Sequence, residues 1–369
     1  MSSWKEYKLG DIVSSNNKSI DKTYEFKNIQ YLDTGSLTNN KIDGFQEFKI
    51  SDAPSRAKRL VKYQDIVYST VRPIQRHFGF IENPQENLVV STGFSVIETN
   101  QKLAYPKFIY YFLSSDETVE ILDVIAEAST SAYPSLKPSD IENLDISLPP
   151  LEEQKAIAAV LSSLDDKIDL LHRQNQTLES LTQTLFRQWF IEEAKEEWEE
   201  KALGDVIETT SGGTPSRSKM EYYDNGNIHW VKSKELYGSY ILATEEKITE
   251  TALKSSSAKL LPKNSVLIAM YGATAGQVCL LANEMAANQA CCGLIPKDEF
   301  KSFAFLIARN SVRSLSDKAS GSAQQNLNKG IIENQPCVLP RLSVARNFEN
   351  LVFPLLRKWL ANSEENIRL

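Results

Sequence analysis

The sequence predicts an α+β fold in which two similar modules follow each other, joined by long antiparallel coiled-coil helices with approximate two-fold symmetry. Residues 128–151 recur at residues 319–342 in the same order and spacing, without a gap. Strand-like and helix-like patterns alternate inside each copy, and a long segment of helical periodicity lies between the copies. A duplicated chain gives two similar modules, and similar modules usually bind similar targets.

Shorter repeats extend the duplication toward the start of each copy. The pairs are Trp4 with Trp198, residues 9–12 with residues 203–206, and residues 29–32 with residues 228–231. The predicted segments are a first module at residues 1–150, a central spacer helix at residues 151–195, a second module at residues 196–342 and a shortened C-terminal spacer helix at residues 343–369.

Each module combines short strands with a helix. Residues 66–69 and 88–90 are short apolar runs bounded by Pro, Asn and Gly, which predicts strands. Residues 108–113 begin a helical pattern. Residues 266–269 and 303–307 are the counterparts in the second module of the first strand and of this helix.

The central segment is predicted to be one long helix, because residues 151–190 contain neither Pro nor Gly. At 1.5 Å per residue, about 39 residues make a rod of roughly 58 Å. Seam positions alternate in steps of four and three, which is typical of a coiled coil. Asn175 either fixes the register of this seam or lies on the surface beside it. The seam consists of Ile157, Leu161, Leu164, Ile168, Leu171, Asn175, Leu178, Thr182, Leu185 and Trp189.

The C-terminal helix repeats this stripe in shorter form and would run antiparallel to the central helix. Its apolar positions are Phe348, Val352, Leu355, Trp359 and Leu360, and Pro354 should bend or break it locally. Because the second stripe is shorter, we expect the far part of the central helix to lack a partner within the chain. Exposed leucines normally mark an interface, so this part should bind a partner subunit or a second copy. The residues concerned are Leu178, Leu181, Leu185, Phe186 and Trp189.

Composition excludes several classes of protein. No apolar run reaches about 18 residues, and residues 1–6 lack an apolar signal region, so we expect a cytoplasmic protein without a membrane span. The four cysteines and three histidines lack metal-ligand spacing, which favours buried cysteines in a reducing compartment and no metal site. The net charge of −7 argues mildly against nucleic-acid binding, but local clusters decide phosphate contacts.

Motifs for catalysis are missing from the sequence. It has no glycine-rich dinucleotide or phosphate loop, no nucleophile elbow, no HExxH helix and no Asn-Pro-Pro-aromatic tetrapeptide. We therefore predict no catalytic residue in this chain, and a binding role.

Two basic segments of the first module are candidates for DNA binding. Arginine can hold phosphate or guanine in a planar fork, and short hydroxyls and Gln75 add donors for base edges. The alternative is a solvated basic loop beside a strand. The candidates are Ser55, Arg56, Lys58, Arg59, Lys62, Thr70, Arg72, Gln75, Arg76 and His77.

The second module offers a different set. Two glycines at residues 212–213 would let the backbone approach a phosphate, although a lone Gly-Gly pair favours an ordinary hairpin turn. Asn288 and Gln289 follow a turn of small residues, and capping of that turn is favoured over base readout. The DNA-binding candidates here are Gly213, Thr214, Ser216, Arg217, Lys219, Lys232 and Tyr271.

Several segments in this order resemble the DNA-specificity (S) subunits of type I restriction-modification systems. In the first module they are residues 53–59, 65–73 and 91–94, in the second residues 211–217, 270–276 and 288–290, and in the centre residues 148–157 and 185–190. The resemblance covers nearly the whole chain.

The resemblance implies two target recognition domains, each reading half of a split double-stranded DNA sequence. The helices would bind modification subunits, two in number, that carry S-adenosylmethionine and methylate adenine. Restriction subunits would add DNA cleavage with ATP and Mg²⁺. No cofactor is expected in this chain itself.

Other interpretations remain open at this point. The chain could be the recognition subunit of a related system that cuts on both sides of its site. It could be a methyltransferase with unrecognised motifs, or a protein-interaction scaffold with two modules on a helical spacer.

Overall fold

The computed structural model describes residues 4–129, 133–320 and 327–369, and for residues 312–320 only the backbone. The repeated residues Thr130, Ser131, Gly321 and Ser322 lie outside the described residues. The chain forms two compact units, Met1–Asp166 and Lys167–Leu369, so the boundary between the units falls inside the central helix.

The first unit is built from short strands followed by helices. Its central strand carries Ile, Val and Tyr, which favour strands, and it is buried along its whole length. The strands are β1 (Lys5–Lys8), β2 (Val13–Ser15), β3 (Asn28–Leu32), β4 (Leu37–Thr38), β5 (Lys41–Ile42), β6 (Gln46–Lys49), β7 (Ala57–Leu60), β8 (Ile66–Ser69), β9 (Phe78–Phe80), β10 (Leu88–Ser91), β11 (Phe94–Thr99) and β12 (Asp145–Leu148). The helices are α1 (Pro106–Ser114), α2 (Asp116–Glu127), α3 (Pro138–Glu142) and α4 (Leu151–Arg187), the last of which continues into the second unit.

The second unit repeats the arrangement. Its strands are β13 (Glu199–Ala202), β14 (Glu208–Ser211), β15 (Ile228–Val231), β16 (Tyr240–Ile241), β17 (Lys247–Ile248), β18 (Leu260–Leu261), β19 (Val266–Ala269), β20 (Val278–Leu281), β21 (Met285–Ala287), β22 (Cys291–Ile295) and β23 (Pro336–Leu339). Its helices are α5 (Leu203–Val206), α6 (Glu250–Ser255), α7 (Lys301–Ser320), α8 (Lys329–Glu333) and α9 (Leu342–Arg368). The strands and helices predicted in both modules are confirmed.

The two main sheets of each unit correspond, except that β16 adds a fifth strand to one sheet of the second unit. The first unit has the orders β2-β11-β8-β9 and β6-β3-β10-β7, and the second has β14-β22-β19-β20-β16 and β17-β15-β21-β18. Both units contain an equivalent parallel pair, β3 with β10 and β15 with β21, and the second unit has a further parallel pair, β16 with β20. In both, a two-stranded ribbon joins the start of the unit to its end, β1 with β12 and β13 with β23. The α+β fold with a tandem repeat is therefore confirmed.

The repeated Leu-Gly-Asp and Ile-Glu-Asn motifs pack against each other in both units. A Cβ on Gly10 would lie 3.2 Å from Glu142 Cβ, and one on Gly204 would lie 3.0 Å from Glu333 Cβ. The Leu9 amide donates to Leu144 O at 2.8 Å. The repeat thus preserves a close contact near the first and last strands of each unit.

The central helix α4 runs for 37 residues and ends in a π-helical turn, Gln188–Glu192. Glu152 and Glu153 lie in its first turn and Arg187 in its last, which suits the helix dipole. The buried Gln154 side chain accepts from the Tyr105 amide at 2.8 Å and donates to Pro149 O at 2.9 Å. These bonds fasten the start of α4 to the first unit.

Within the second unit, α4 and α9 run antiparallel, as predicted. Lys167 pairs with Glu365 at one end, and the Trp189 and Phe348 rings meet 5.6 Å apart at the other. Between these ends, the fully buried Asn362 donates to Asn175 Oδ1 at 3.0 Å. Asn175 therefore lies in the seam and not on the surface beside it.

The expectation that the far part of α4 lacks a partner within the chain is wrong. In an antiparallel pair the start of α9, not its end, lies beside the far part of α4. Phe186 is buried in the core of the second unit, and Leu178, Leu185 and Trp189 pack against that core. Only Leu181 of the five named side chains is exposed, at 43%.

Pro354 does not break α9, so of the two expected effects, a bend or a break, the break is wrong. The helix continues from Leu342 to Arg368, and Pro354 lies on its exposed side. Val352, Leu356 and Trp359 are buried on either side of the proline. Tertiary packing of these turns stabilises the helix despite the missing amide hydrogen.

The cysteines are buried, as expected, and each has a free thiol. Burial raises the pKa of the Cys279 thiol to about 12. Helices in the described part of the chain lack the length and apolar character needed to cross a membrane.

Candidate nucleic-acid interface

Three loops of the first unit meet where β8 ends. The Thr92 amide donates to Arg56 O at 2.8 Å, and the Thr70 amide donates to Gly93 O at 2.8 Å. A fourth segment joins them, because the Leu136 amide donates to Thr70 O at 2.7 Å. We call this surface the arginine edge and define it as residues 54–57, 70–76, 91–93 and 134–136.

The turn at residues 72–76 is the most constrained part of the arginine edge. Arg72 and Arg76 have left-handed backbone conformations, with φ of 47° and 57°. Arg76 forms a 2.6 Å ion pair with Asp116, and the Ile74 amide donates to Asp123 Oδ1 at 3.2 Å. Both carboxylates belong to α2, so this helix fixes the turn from one side.

The structure brings six of the predicted DNA-binding residues of the first module to this edge. Arg56, Arg72 and Gln75 are exposed, whereas Thr70 is half-buried and donates from Oγ1 to Gly93 O at 2.9 Å. The six residues are Ser55, Arg56, Thr70, Arg72, Gln75 and Arg76.

The other four candidates of the first module lie elsewhere or are engaged. Lys62 precedes β8, whereas Arg72 follows it, so the two lie at opposite ends of this strand, and Lys62 forms an ion pair with Glu98. Lys58 and Arg59 belong to β7, and Arg59 is half-buried. Burial lowers the pKa of the Arg59 guanidinium. The His77 ring bonds through Nδ1 to Leu37 O at 2.6 Å.

In the second unit, the predicted cations are held by neighbouring groups. The Arg217 guanidinium lies 4.5 Å from the Tyr223 ring centroid and 5.1 Å from that of Trp230, and it pairs with Glu246 at 2.6 Å. Lys232 pairs with Glu246 at 2.5 Å. The hydrogen bond to Glu246 raises the pKa of Arg217, while Arg217 and Lys232 lower the pKa of the Glu246 carboxyl.

The glycine pair at residues 212–213 serves packing within the unit. A Cβ on Gly212 would lie 2.1 Å from Asn288 O, and one on Gly213 would lie 2.2 Å from Ser257 O. Gly213 O also accepts from Trp230 Nε1 at 3.0 Å, and Gly213 itself is buried. The idea that these glycines leave space for a phosphate is therefore wrong, because the space is filled by the backbone of the chain.

The remaining candidates of the second module lie near this junction or in the turn after β19. Ser216 Oγ bonds to Ser218 Oγ at 2.8 Å, Lys219 Nζ donates to Tyr222 Oη at 3.0 Å, and Thr214 is half-buried. Tyr271 is 39% exposed and lies in the turn after β19. Asn288 Oδ1 accepts from the Ala290 amide at 3.1 Å, so the prediction that Asn288 caps a turn is confirmed, and the turn is that at residues 288–291.

Sequence reasoning missed how Asp116 and Asp123 support the arginine edge and how Glu246 holds Arg217. These are long-range pairs without a motif. The equivalence of the two turns could have been found in the sequence. Continuing the match of residues 66–69 with 266–269 aligns Arg72 with Gly272 and Arg76 with Gly276. Within the described residues, no three His, Cys, Asp or Glu side chains are grouped so that they could hold a metal ion.

Comparison with known proteins identifies the family. A family model described as the type I restriction modification DNA specificity domain matches residues 1–180 and 195–346. The chain belongs to the DNA-specificity subunits of type I restriction-modification systems. The two matched ranges fall on the two halves of the repeat, as expected if each half is one specificity domain.

Individual relatives agree with this family. The type I restriction enzyme HindI specificity subunit of Haemophilus influenzae is 28% identical, over 100% of this chain and 96% of the relative. The MjaIX specificity subunit of Methanocaldococcus jannaschii is 26% identical, over 78% of this chain and 70% of the relative. The solved structure of a type I restriction-modification S subunit from M. genitalium shares the fold, with a TM-score of 0.64 at 16% identity over 100% of this chain and 93% of that chain.

Proposed function

We propose that this specificity subunit reads a split DNA target, in which each unit recognises one half and a spacer of no fixed sequence separates the halves. The observation that carries the proposal is the correspondence of the main sheets of the two units, whose loops after the equivalent strands β8 and β19 carry different side chains. One framework with two different loops suits a protein that reads two different short sequences.

The charge distribution supports DNA as the ligand of the first unit. The whole chain has a net charge of −7, but Arg56 and Arg72 are exposed on neighbouring loops of the arginine edge. Lys62, Arg76, Arg217 and Lys232 are each paired with a carboxylate. Local positive charge attracts phosphates more than the total charge repels them.

We further propose that this chain is not catalytic and holds no cofactor of its own. In support, its sequence lacks motifs for nucleotide, S-adenosylmethionine or metal catalysis. The chemistry would come from partners: two modification subunits with S-adenosylmethionine, and restriction subunits with ATP and Mg²⁺.

For the modification subunits we propose α4 as the docking helix. Phe186 is buried in the core of the second unit, and Leu178, Leu185 and Trp189 pack against it, so they offer less surface than the sequence predicts. Leu181 is exposed, as are Val160, Leu164 and Leu170 on the same helix. These side chains give a partner helix apolar surface to cover.

Enrichment sequencing tests the DNA target. The chain is assembled with its modification subunits, and bound duplexes are selected from a random library and sequenced. The proposal expects two conserved blocks separated by a fixed number of unconserved base pairs. One compact block, or no enrichment from an assembled complex, would contradict it.

A further inference from the structure

The turns after β8 and β19 share several backbone hydrogen bonds. The Gln75 amide donates to Arg72 O at 2.9 Å, and the Ala275 amide donates to Gly272 O at 3.0 Å. The bond from the Leu136 amide to Thr70 O has its counterpart in a 2.8 Å bond from the Leu327 amide to Met270 O. The two turns therefore correspond at the corner of Arg72 and Gly272. They differ at the second corner, where the Arg76 amide donates to Pro73 O and the Gly276 amide to Ala269 O, both at 2.8 Å.

Both turns place their two corner residues in the left-handed region, but with different residue types. The second unit uses glycines, Gly272 at a φ of 83° and Gly276 at 86°. The first unit has Arg72 and Arg76 at the equivalent corners. Glycine adopts this conformation freely, whereas a side chain is disfavoured there. Strained positions of this kind are held by the surrounding structure and cluster at functional sites.

The two arginines differ in what holds their side chains. Arg76 is paired with Asp116 and has a structural role in fastening the turn to α2. The exposed Arg72 side chain forms no hydrogen bond or ion pair with the residues that the structure describes. Its backbone is fixed, because the Arg72 amide donates to Pro134 O at 3.2 Å. The Arg72 guanidinium therefore has no partner among the described residues, while its backbone is held in place.

The neighbours of Arg72 suit base edges better than phosphates. Val71 is 38% exposed and Ile74 is 54% exposed, and Gln75 adds an exposed amide. Apolar side chains contact thymine methyl groups, and amide side chains form hydrogen bonds with adenine in the major groove. A phosphate contact needs only a positive charge or a donor and no apolar or amide neighbours.

We propose that Arg72 is a specificity-determining residue that reads a guanine in the half-site of the first unit, with its fork on O6 and N7. The equivalent turn of the second unit has glycine at this corner and reads its half-site without such a contact. This assignment rests on the proposed function of the chain as a reader of split DNA.

The test is Arg72→Gly in the full chain, assembled with its modification subunits. Glycine is the residue that the second unit carries at this corner, so the variant keeps the backbone and should fold at least as well as the wild type. Fluorescence anisotropy is measured with the selected target and with every single-base variant of both halves. Discrimination at one guanine position should fall by about 5- to 150-fold, because a bidentate contact contributes this much. The other half-site should be read as before.

Two further variants separate readout from charge. Arg72→Lys keeps the charge but loses the fork, so it should lose the same discrimination while the salt dependence of binding stays unchanged. Lys102→Ala is the control for charge. Lys102 is exposed and follows β11, whereas residues 91–93 of the arginine edge precede β11, so this variant should change neither the base discrimination nor the salt dependence.

Full discrimination at every position in Arg72→Gly would overturn the assignment. Equal weakening on all sequences, with a smaller salt dependence, would overturn it as well, because it would make Arg72 a phosphate contact. If the wild-type assembly itself preferred no sequence, the proposed function would fail, and this assignment with it.

Discussion

The two units share a framework and differ at one end of it. β8 and β19 are buried, occupy equivalent positions in their sheets and lead into turns that share several hydrogen bonds. The turn of the first unit carries arginine at its corners, and the turn of the second carries glycine. The corner at Arg72 and Gly272 is exposed, so its residue can change without disturbing the core, which lets one scaffold present different surfaces to DNA.

The units also differ in how they hold their cations. In the second unit Arg217 stacks on Tyr223 and Trp230 and pairs with Glu246, so binding DNA would require breaking these contacts. In the first unit Arg72 has no such partner among the described residues. Basic residues selected by composition alone therefore include side chains that are paired within the protein and side chains that are free to contact DNA.

The largest expected effect concerns the core that only the second unit builds from both long helices. Phe348 is fully buried and contacts the rings of Phe186, Trp189 and Phe190. Phe348→Ala should destabilise this unit by about 3–5 kcal/mol through loss of burial and a cavity. Hydrogen exchange should then accelerate in β19 and not in β8. Equal acceleration in both strands would show that the units do not unfold separately.

The glycine pair offers a second contrast. Gly213→Ala places a Cβ 2.2 Å from Ser257 O, and this backbone cannot move far. The expected loss of unfolding free energy is about 3 kcal/mol, the upper end for overpacking. Gly44→Ala in the first unit meets no atom within 4 Å and is the matched control, with an expected change near zero. Denaturant titration of both variants checks this, and a stable Gly213→Ala protein would contradict the packing role.

Each unit also contains a buried carboxyl whose pKa is raised. Burial raises the pKa of Glu349 from 4.5 to about 7 and that of Asp65 from 3.8 to about 6. The folded chain keeps these protons at pH values where the unfolded chain releases them. The stability contributed by Glu349 therefore falls as the pH rises from about 4.5 through 7, and that of Asp65 falls from about 3.8 through 6.

Thermal unfolding across pH tests these two groups. The melting temperature of Glu349→Gln, relative to that of the wild type, should increase as the pH rises toward 8. For Asp65→Asn the same relative increase should end about one pH unit lower. A difference between variant and wild type that stays constant with pH would contradict the raised pKa.

The smallest expected effect is that of Lys62→Ala. Lys62 lies at the opposite end of β8 from Arg72 and pairs with Glu98 in an exposed ion pair. Such pairs contribute about 0–1 kcal/mol, so both stability and DNA affinity should change little. A marked loss of affinity on all sequences would place Lys62 on the DNA surface after all.

The framework could be predicted from the sequence because its signals are local. Apolar runs gave β8 and β19, the absence of Pro and Gly gave α4, and the duplication gave the correspondence of the units. The predictions were wrong where the outcome depends on the relative direction of two helices or on the distance between segments far apart in the sequence. The antiparallel pairing buries Phe186 and packs Leu178 against the core, and the backbone carbonyl of Ser257 fills the space beside Gly213. A one-dimensional pattern does not carry these tertiary contacts.

The most direct test of separate reading by the two units is mapping of methylated adenines in cells that hold the modification subunits. One strain carries the wild-type chain, and the other carries Arg56→Ser with Arg72→Gly, which replaces two arginines of the arginine edge with small residues. The account predicts a split motif in the wild type, and in the variant a motif relaxed in one half and unchanged in the other. A compact wild-type motif, or a variant that alters both halves together, would contradict it.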